Sequence, residues 1–584
     1  MIPKEKGQED KTMKNIKTSI RTVILLILVT ALSGISGTTA EEKSSPVFDI
    51  LFINGKIIDG TGNPWFYGDV GIVGDRVAAI GRLKGTSKAV RTIDITGKII
   101  CPGFIDIHTH TYDRISNDKV WTGDNEKRFF APNYVSQGVT TVVSNQCGTS
   151  PLSIAKQKSI LLEKGIGPNA LLHIGHNTVR RQVMKGDFQR PASEEEITKM
   201  RAIIQQAMKE GAIGMSSGLE YVPAIWSTTD EIVALMNDIV PYGGIFQAHE
   251  RASGLSPMWY VPSRDEPGPP NMLENIEELI EVAERTRGKV IATHIKARGK
   301  NFWGTSRAII KLIEDARARG LDIWADCYPY NTSGSDGQIV LIPAWAMGKD
   351  AENSLEAVLR DPVRKKALID DIKHAVNWRG GSENIIVMDH PNRDYIGKNI
   401  AQLARGKGLS DIDMIFDLHL NGNPNIPGGA RLRGFSMDEI DIEAFSAQPW
   451  TCTSSDGSIA LPEDGPVHAR FYGTFPRKIH HYAMERKVLS LEDAVRVSTS
   501  LPAQILSLRS RGLLREGFAA DITVFDPETI RDTATFFEPH QYPEGIPYVL
   551  VNGVFVVEDG TMTWKRPGRV LTPLIDGKGP VLNN

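Results

Sequence analysis

Cysteine is scarce in this sequence. Four residues, Cys101, Cys147, Cys327 and Cys452, are spread over 584 positions with no CxxC spacing. They are too few and too scattered for a disulfide framework or a zinc-finger module. A charge excess is missing as well, with 67 basic residues against 70 acidic ones and a net charge of −3. A chain that binds nucleic acid normally shows a basic excess or stripe, so no nucleic-acid partner is expected. Tandem repeats of fixed period and low-complexity tracts are absent too. The composition, 41% hydrophobic and 23% charged, is that of a globular protein. Its length exceeds one ordinary core, so a large domain with a smaller companion is the minimal expectation.

The apolar run Val23 to Leu32 is too short to span a bilayer, which takes about 20 residues. It follows Lys11, Lys14, Lys17 and Arg21 and leads through small residues to Thr38-Thr39-Ala40, just before Glu41-Glu42. This order predicts a secretory signal peptide over residues 1–40. The protein is then exported, periplasmic or secreted, with no stable membrane span after cleavage. A retained anchor is the alternative.

Beyond residue 40, alternating runs at Phe48–Asp59, Gly68–Ile80 and Val90–Ile100 read as strands, with a hairpin turn at Gly74-Asp75. Ala520–Phe525 and Tyr548–Val557 mirror them at the far end, the second broken by Asn552-Gly553. These two ends, residues 48–100 and 510–570, predict one small β domain. The middle has another rhythm. Strand-like runs fall near Phe104–Ile107, Thr140–Val143, Ala170–Ile174, Ile213–Met215, Gly244–Gln247, Val290–Ala292, Asp322–Ala325 and Trp450–Thr453. Helical segments lie between them, clearest at Glu194–Lys209, Asn271–Arg287 and Thr305–Arg319. Such alternation predicts an α/β fold with a parallel sheet, and about eight units predict a (β/α)8 TIM-like barrel over residues 101–509. An open doubly wound sheet is the competing topology. About 120 residues separate Tyr330 from Trp450, too many for one crossover, so residues 331–449 read as an insertion before the last strand.

The polar ends of these runs hold the reactive residue types, and in such barrels the C-terminal rim carries the active site. The first ends in Asp106-Ile107-His108-Thr109-His110, where alternate residues of a strand face one side and both histidines can address one metal. The second ends in Ser144-Asn145-Gln146-Cys147-Gly148. Cys147 reads equally as a thiolate ligand and as a buried packing residue, whereas Cys101, Cys327 and Cys452 read as packing. His249 and His294 stand at matching positions of two successive strand ends, and Asp456 ends the last run. A carboxylate there is a candidate metal ligand and proton shuttle, or a turn cap.

The order HxH, strand-end histidine, strand-end histidine, strand-end aspartate resembles the metal-dependent amidohydrolase superfamily. Within it the chain resembles the D-aminoacylases, or N-acyl-D-amino-acid deacylases. The motifs that carry this are Asn145-Gln146-Cys147-Gly148, Gly175-His176-Asn177-Thr178-Val179-Arg180, Gly218-Leu219-Glu220-Tyr221 and Tyr472-Gly473-Thr474-Phe475-Pro476-Arg477, while Gly517-Phe518-Ala519-Ala520-Asp521 in the flanking β segment fits the wider superfamily. The match covers nearly all of residues 48–570, and the small domain is then a β-sandwich.

The resemblance implies that Cys147, His249 and His294 hold a tight Zn2+, with His108, His110 and Asp456 around a second, weaker position. Many amidohydrolases bridge two metals with a modified lysine. Here the fourth run ends Ser216-Ser217-Gly218-Leu219-Glu220-Tyr221 without one, and Cys147 replaces it. Tyr221, Lys296 and Arg470 are the implied anchors of the substrate carboxylate, and His176 is a helper at the carbonyl or behind the metal ligands. The implied reaction is hydrolysis of a small-molecule N-acyl-D-amino acid, with Asp456 moving the proton from water to the leaving amine. Cyclic-amide or D-residue dipeptide hydrolysis is the alternative, followed by an inactive barrel serving as a scaffold. After His249 the chain keeps Arg251 but continues Ala252-Ser253-Gly254 where relatives turn acidic, followed by Leu255–Pro270, rich in proline and aromatics. Side-chain and acyl preference stay open there, as does the oligomeric state. His480-His481 reads as structural.

Overall fold

The computed structural model describes residues 47–112, 121, 125–334, 339–348, 352 and 354–572. The expected leader, residues 1–40, lies outside the described residues. Five strands come first: β1 (Phe48–Ile57), β2 (Phe66–Val73), β3 (Arg76–Gly81), β4 (Ala89–Asp94) and β5 (Ile99–Pro102). The central series is β6 (Phe104–Asp106), β7 (Thr109–His110), β8 (Val139–Ser144), β9 (Asn169–Leu172), β10 (Ile174–Gly175), β11 (Gly214–Gly218), β12 (Ile245–His249), β13 (Lys289–Ala292) and β14 (Ile323–Cys327). Then come β15 (Ile385–Asp389), β16 (Arg431–Gly434), β17 (Thr451–Thr453) and β18 (Gly457–Ser458). The chain ends in β19 (Ile522–Phe525), β20 (Tyr548–Val551), β21 (Val554–Glu558) and β22 (Thr561–Met562).

Both chain ends build one nine-stranded sheet, ordered β22-β21-β20-β19-β5-β1-β2-β3 with β4 also on β1. The join is the antiparallel pair of β5 with β19. Asn552 and Gly553 take left-handed φ values of 49° and 78°, the backbone that closes a two-residue hairpin between β20 and β21. Ile50, Phe52, Val70, Ile72, Ile522, Val524 and Leu550 fill this unit's core. The run Val90–Ile100 is two strands rather than the single one expected. Asp94 Oδ1 accepts from Thr96 N at 2.9 Å and Thr96 Oγ1 at 2.6 Å, a local turn that ends β4.

The central strands pair in parallel as β6–β8–β9 and, one residue after β9, as β10–β11–β12–β13–β14–β17. β18 pairs with β7, and Asp456 N donates to His108 O at 3.0 Å. Ile105, Val143, Leu171, Ile213, Ile245, Ile291 and Cys452, one from each of seven strands or their first turn, meet in a single cluster with Trp324 against it. Helices Glu194–Lys209 and Met272–Thr286 each begin with a capping box and bury i, i+4, i+7 faces such as Met200, Ile204 and Ala207, as their periodicity predicts.

The stretch between β14 and β17 has its own core of Leu341, Ile372, Val387, Leu403 and Leu432. Its β15 pairs with β16, which reads Arg431-Leu432-Arg433-Gly434 and was not foreseen. Two arginines and a glycine do not alternate like a strand, and only the antiparallel pairing with β15 makes it one. No helix among the described residues is long and apolar enough to cross a membrane.

Candidate metal centre and substrate cavity

Cys147 is held by an unusual turn after β8. Asn145, Cys147 and Gly148 have φ of 67°, 52° and 78°, the left-handed region that side chains disfavour. The turn is fastened on all sides. Asn145 Nδ2 donates to His173 O at 2.7 Å and Gln157 Oε1 at 2.9 Å. Gly148 N donates to Ser216 Oγ at 3.1 Å. A Cβ on Gly148 would lie 1.9 Å from Asn177 Oδ1, which itself accepts from Gly218 N at 3.0 Å. Gly148→Ala therefore combines a collision with a disfavoured φ, and we expect a loss of about 3 kcal/mol of stability with reduced metal content. Urea denaturation and metal analysis check this; an unchanged midpoint with full metal would show that the clamp is dispensable.

The Cys147 sulfur is ringed by imidazoles. Sγ lies 3.6 Å from His249 Nδ1, 3.7 Å from His108 Nε2, 3.8 Å from His110 Nε2 and 3.9 Å from His294 Nε2. His249 Nδ1 and His294 Nε2 are 2.8 Å apart. Asp456 Oδ1 lies 3.0 Å from His110 Nε2 and 3.5 Å from His108 Nε2. Cys147–His249–His294, His108–His110–Cys147 and His108–His294–Asp456 each converge to within 4.8 Å. Cys147 is thus shared by two of the three groups. His294 and Asp456 also have left-handed φ, 38° and 47°. Such positions cost about 1–3 kcal/mol each and persist where the surroundings over-determine them.

Three of the rings are tied outward through their second nitrogen, which frees the first to face the centre. His249 Nε2 meets Glu220 Oε2 at 3.0 Å. His108 Nδ1 meets the Thr293 hydroxyl, with Asp326 Oδ1 at 3.8 Å. His294 Nδ1 lies 2.6 Å from Lys296 Nζ and 3.6 Å from Glu250 Oε2. Burial holds the His108, His249 and His294 imidazoles below their usual range, His108 and His294 well below, so they are neutral. Burial equally pushes the Cys147 thiol well above its ordinary range. A thiolate at that point requires a cation beside it. Neutral imidazoles, one sulfur and a carboxylate make a donor set that fits zinc.

Asp456 is a carboxylate for a different reason. Burial would raise its pKa, but the Arg470 guanidinium, then His110, outweigh that and hold it well below the usual range. Arg470 donates from Nε and Nη2 to the Asp456 carbonyl at 2.9 and 2.7 Å, and Nη2 lies 2.9 Å from Oδ2.

Sequence reasoning missed several partners. Asp326, at the end of β14, accepts from Ser454 Oγ at 2.6 Å, His294 N at 2.8 Å and Gln247 Nε2 at 3.2 Å, and burial pushes it up to about 6. Its position at a strand end was the available signal. Glu220 lay inside a quoted motif without a role. Glu250 is fully buried, neither oxygen accepts a hydrogen bond from another residue, and burial pushes it up to about 8. His176, in contrast, is not at the centre. Its Nδ1 meets Ser217 Oγ and its Nε2 meets Glu231 Oε1, both at 2.8 Å, in a buried cluster with Arg180. With both nitrogens engaged beneath the rim, it has none to offer a substrate carbonyl. Arg251 pairs with Glu278 at 2.7 Å, and His481 with Glu485 at 2.9 Å.

The centre forms part of the wall of a cavity of about 750 Å³. Tyr221, Lys296 and Arg470 all line it with His110, Cys147, His249, His294 and Asp456. Tyr221 stands half-exposed, its ring centroid 4.3 Å from that of His249.

Comparison with known proteins agrees with this geometry. Residues 374–557 match the amidohydrolase family. A D-aminoacylase of Alcaligenes xylosoxydans xylosoxydans is 33% identical over 553 residues, 91% of this chain and 99% of the relative. A solved D-aminoacylase structure, concerned with the role of its binuclear metal centre, shares 31% identity at a TM-score of 0.67 and covers 90% of this chain and 100% of its own. The N-acyl-D-glutamate deacylase of Bordetella bronchiseptica, solved with zinc and a phosphonate inhibitor, shares 28% identity at a TM-score of 0.68, with 90% and 100% covered. With the motif order, the ligand cluster and a relative matched over nearly its whole length, the chain belongs to the D-aminoacylase family of the metal-dependent amidohydrolases.

Proposed function

We propose that this protein is a zinc-dependent hydrolase that cleaves the amide bond of N-acyl-D-amino acids to a carboxylate and a free D-amino acid. The observation that carries the reading is the convergence of Cys147, four imidazoles and Asp456 on one wall of a cavity lined by cations. Cys147, His249 and His294 are the tighter zinc set, and His108, His110 and Asp456 surround a second, weaker position. Bound zinc supplies polarisation of the scissile carbonyl and a lowered pKa for water. Arg470 fixes Asp456 through its carbonyl and Oδ2, and Oδ1, 3.0 Å from His110 Nε2, is the oxygen on the metal side that takes a proton from water and returns it to the leaving nitrogen. An amide anion is too basic to depart without that proton. Tyr221, Lys296 and Arg470 hold the substrate carboxylate, a tyrosine hydroxyl and two cations being suited to an anion.

The test is a kinetic screen of N-acyl D- and L-amino acids beside a hydantoin and a D-residue dipeptide. Turnover is expected for the N-acyl-D-amino acids and abolished by a strong chelator. Preference for the hydantoin or the dipeptide, or activity unchanged by the chelator, would overturn the reading.

The eight parallel segments from β6 to β18 are read as a closed (β/α)8 barrel over residues 101–509. The shared apolar cluster, the β7–β18 pair and the Asp456-to-His108 hydrogen bond support this. Residues 331–449 are an insertion, and 48–100 with 510–570 form a small β-sandwich. Export is proposed from the basic, apolar and small-residue order over residues 11–40. Sequencing the N-terminus of the purified protein is expected to start after Ala40; recovery with Met1 intact from the cytosol would refute it.

A further inference from the structure

Beyond the three anchors assigned above, three more guanidiniums line the same cavity; that of Arg181 donates to Val222 O at 3.1 Å, which leaves those of Arg298 and Arg379. Arg298, 5% exposed, follows β13, and Arg379 caps the insertion helix Pro362–Trp378. Both backbones are fixed by close approach. Arg298 N donates to Ser253 O at 2.8 Å, and its carbonyl sits 2.2 Å from where a Cβ on Gly254 would lie. The residue after Arg379 is Gly380, at φ 99°, and a Cβ there would lie 2.2 Å from Phe435 O. The two guanidinium carbons lie 4.4 and 4.6 Å from the Trp378 ring centroid. Trp378 Nε1 in turn donates to Ser256 O at 3.0 Å. The segment after His249, through Ser253 and Ser256, is therefore what pins this platform.

Neither guanidinium forms an ion pair or a side-chain hydrogen bond among the described residues, and Arg298 Nε is buried without a partner. The carboxylate of Glu220 is already engaged by His249 and by Met258 N at 2.6 Å. Burial and the charge of Arg298 hold Arg379 down to about 9. Two confined, unpaired guanidiniums repel one another and leave their forks unsatisfied. One carboxylate accepting from both removes the repulsion and satisfies the donors.

We propose that Arg298 and Arg379 bind a second carboxylate of the substrate, so that the enzyme prefers dianionic N-acyl-D-amino acids. This rests on the deacylase reading above. The second carboxylate can sit on the amino-acid side chain or on the acyl group, and the substrates separate the two. N-acetyl-D-glutamate and N-acetyl-D-aspartate are compared with N-acetyl-D-glutamine and N-acetyl-D-asparagine, and N-succinyl-D-alanine with N-butanoyl-D-alanine.

In the purified holoenzyme kcat/KM is expected to favour the dianion in at least one comparison by about 100-fold or more, since a site built for a polar group rejects the analogue lacking it. The variants R298M and R379M are expected to bring that ratio to within about tenfold of unity. R298K and R379K keep charge and stem, lose the fork, and are expected to lower the ratio too, which covers failure of the methionine variants to fold. Equal turnover of dianion and neutral analogue in every comparison would overturn the inference. So would variants that slow both members of a pair alike with the ratio intact, because the arginines would then serve the carboxylate common to all these substrates. Failure to hydrolyse any N-acyl-D-amino acid would instead sink the deacylase reading and take the inference with it.

Discussion

Cys147→Ser is expected to lose most bound zinc and to lower turnover at least about 100-fold, since removing even an outer partner of a metal ligand costs 10–100-fold. The sulfur lies 3.6–3.9 Å from four imidazole nitrogens, so its loss affects both ligand groups at once. Serine is nearly isosteric, but its hydroxyl is far less acidic than a thiol and binds zinc poorly near neutral pH. The turn that holds residue 147 is fastened by Asn145, Gly148 and Asn177, none of which the substitution touches, so the fold should survive. Cys327→Ser is the control. That thiol is buried in the apolar core, with its sulfur 3.4 Å from the Tyr328 carbonyl, and its replacement should cost on the order of 1 kcal/mol without metal loss. Metal per chain, turnover and circular dichroism on both variants make the comparison. A folded Cys147→Ser enzyme with full zinc and normal turnover would refute the ligand assignment.

Asp456→Asn is expected to reduce kcat by about 10³–10⁴-fold, the upper range of what a positioned proton carrier contributes. KM should change little, because two of the proposed carboxylate anchors, Tyr221 and Lys296, are not bonded to Asp456, and the third, Arg470, keeps its bonds to the residue-456 carbonyl. Zinc bound by Cys147, His249 and His294 should remain, since Asp456 is not in that group. Asparagine keeps the shape and the carbonyl contacts to Arg470, but its amide cannot take up a proton near neutral pH. The distinguishing readout is the leaving group. An ester or an activated anilide, whose leaving group departs without full protonation, should lose much less rate than the alkyl amide. If both substrates slow equally, Asp456 acts through the metal or through Arg470 rather than as the proton carrier. If kcat stays within tenfold of the wild type, it is not the proton carrier at all.

These expectations use contacts of two kinds, and they were not equally legible. The HxH that leads into β7, with His108 in the bend before it, and the histidines at the end of β12 and just past β13 could be read directly, because strand termini are local properties of the chain. The bonds that tune them could not. Asp326, in β14, reaches Thr293 and His294 past the end of β13 and Ser454 past the end of β17, a meeting that only parallel pairing in register produces. His176 stood in a quoted motif beside the others, yet the helix that begins with it turns its ring toward Glu231, away from the cavity.

The sequence by itself determined the alternation of strand and helix, the strand-rich character of both chain ends, and which residue types stand at the strand ends. Hydrophobic period, capping boxes and turn residues all act over a few positions, and a single chain displays them in order. The tertiary structure alone decided that Cys147 sits within reach of two ligand groups and that Arg470 is committed to Asp456. It alone brings Arg298 and Arg379 against one indole, from a strand end and from the end of a distant helix. Those facts depend on distances between segments far apart in sequence, set by strand register and by left-handed turns at Cys147, His294 and Asp456, and no local pattern encodes them.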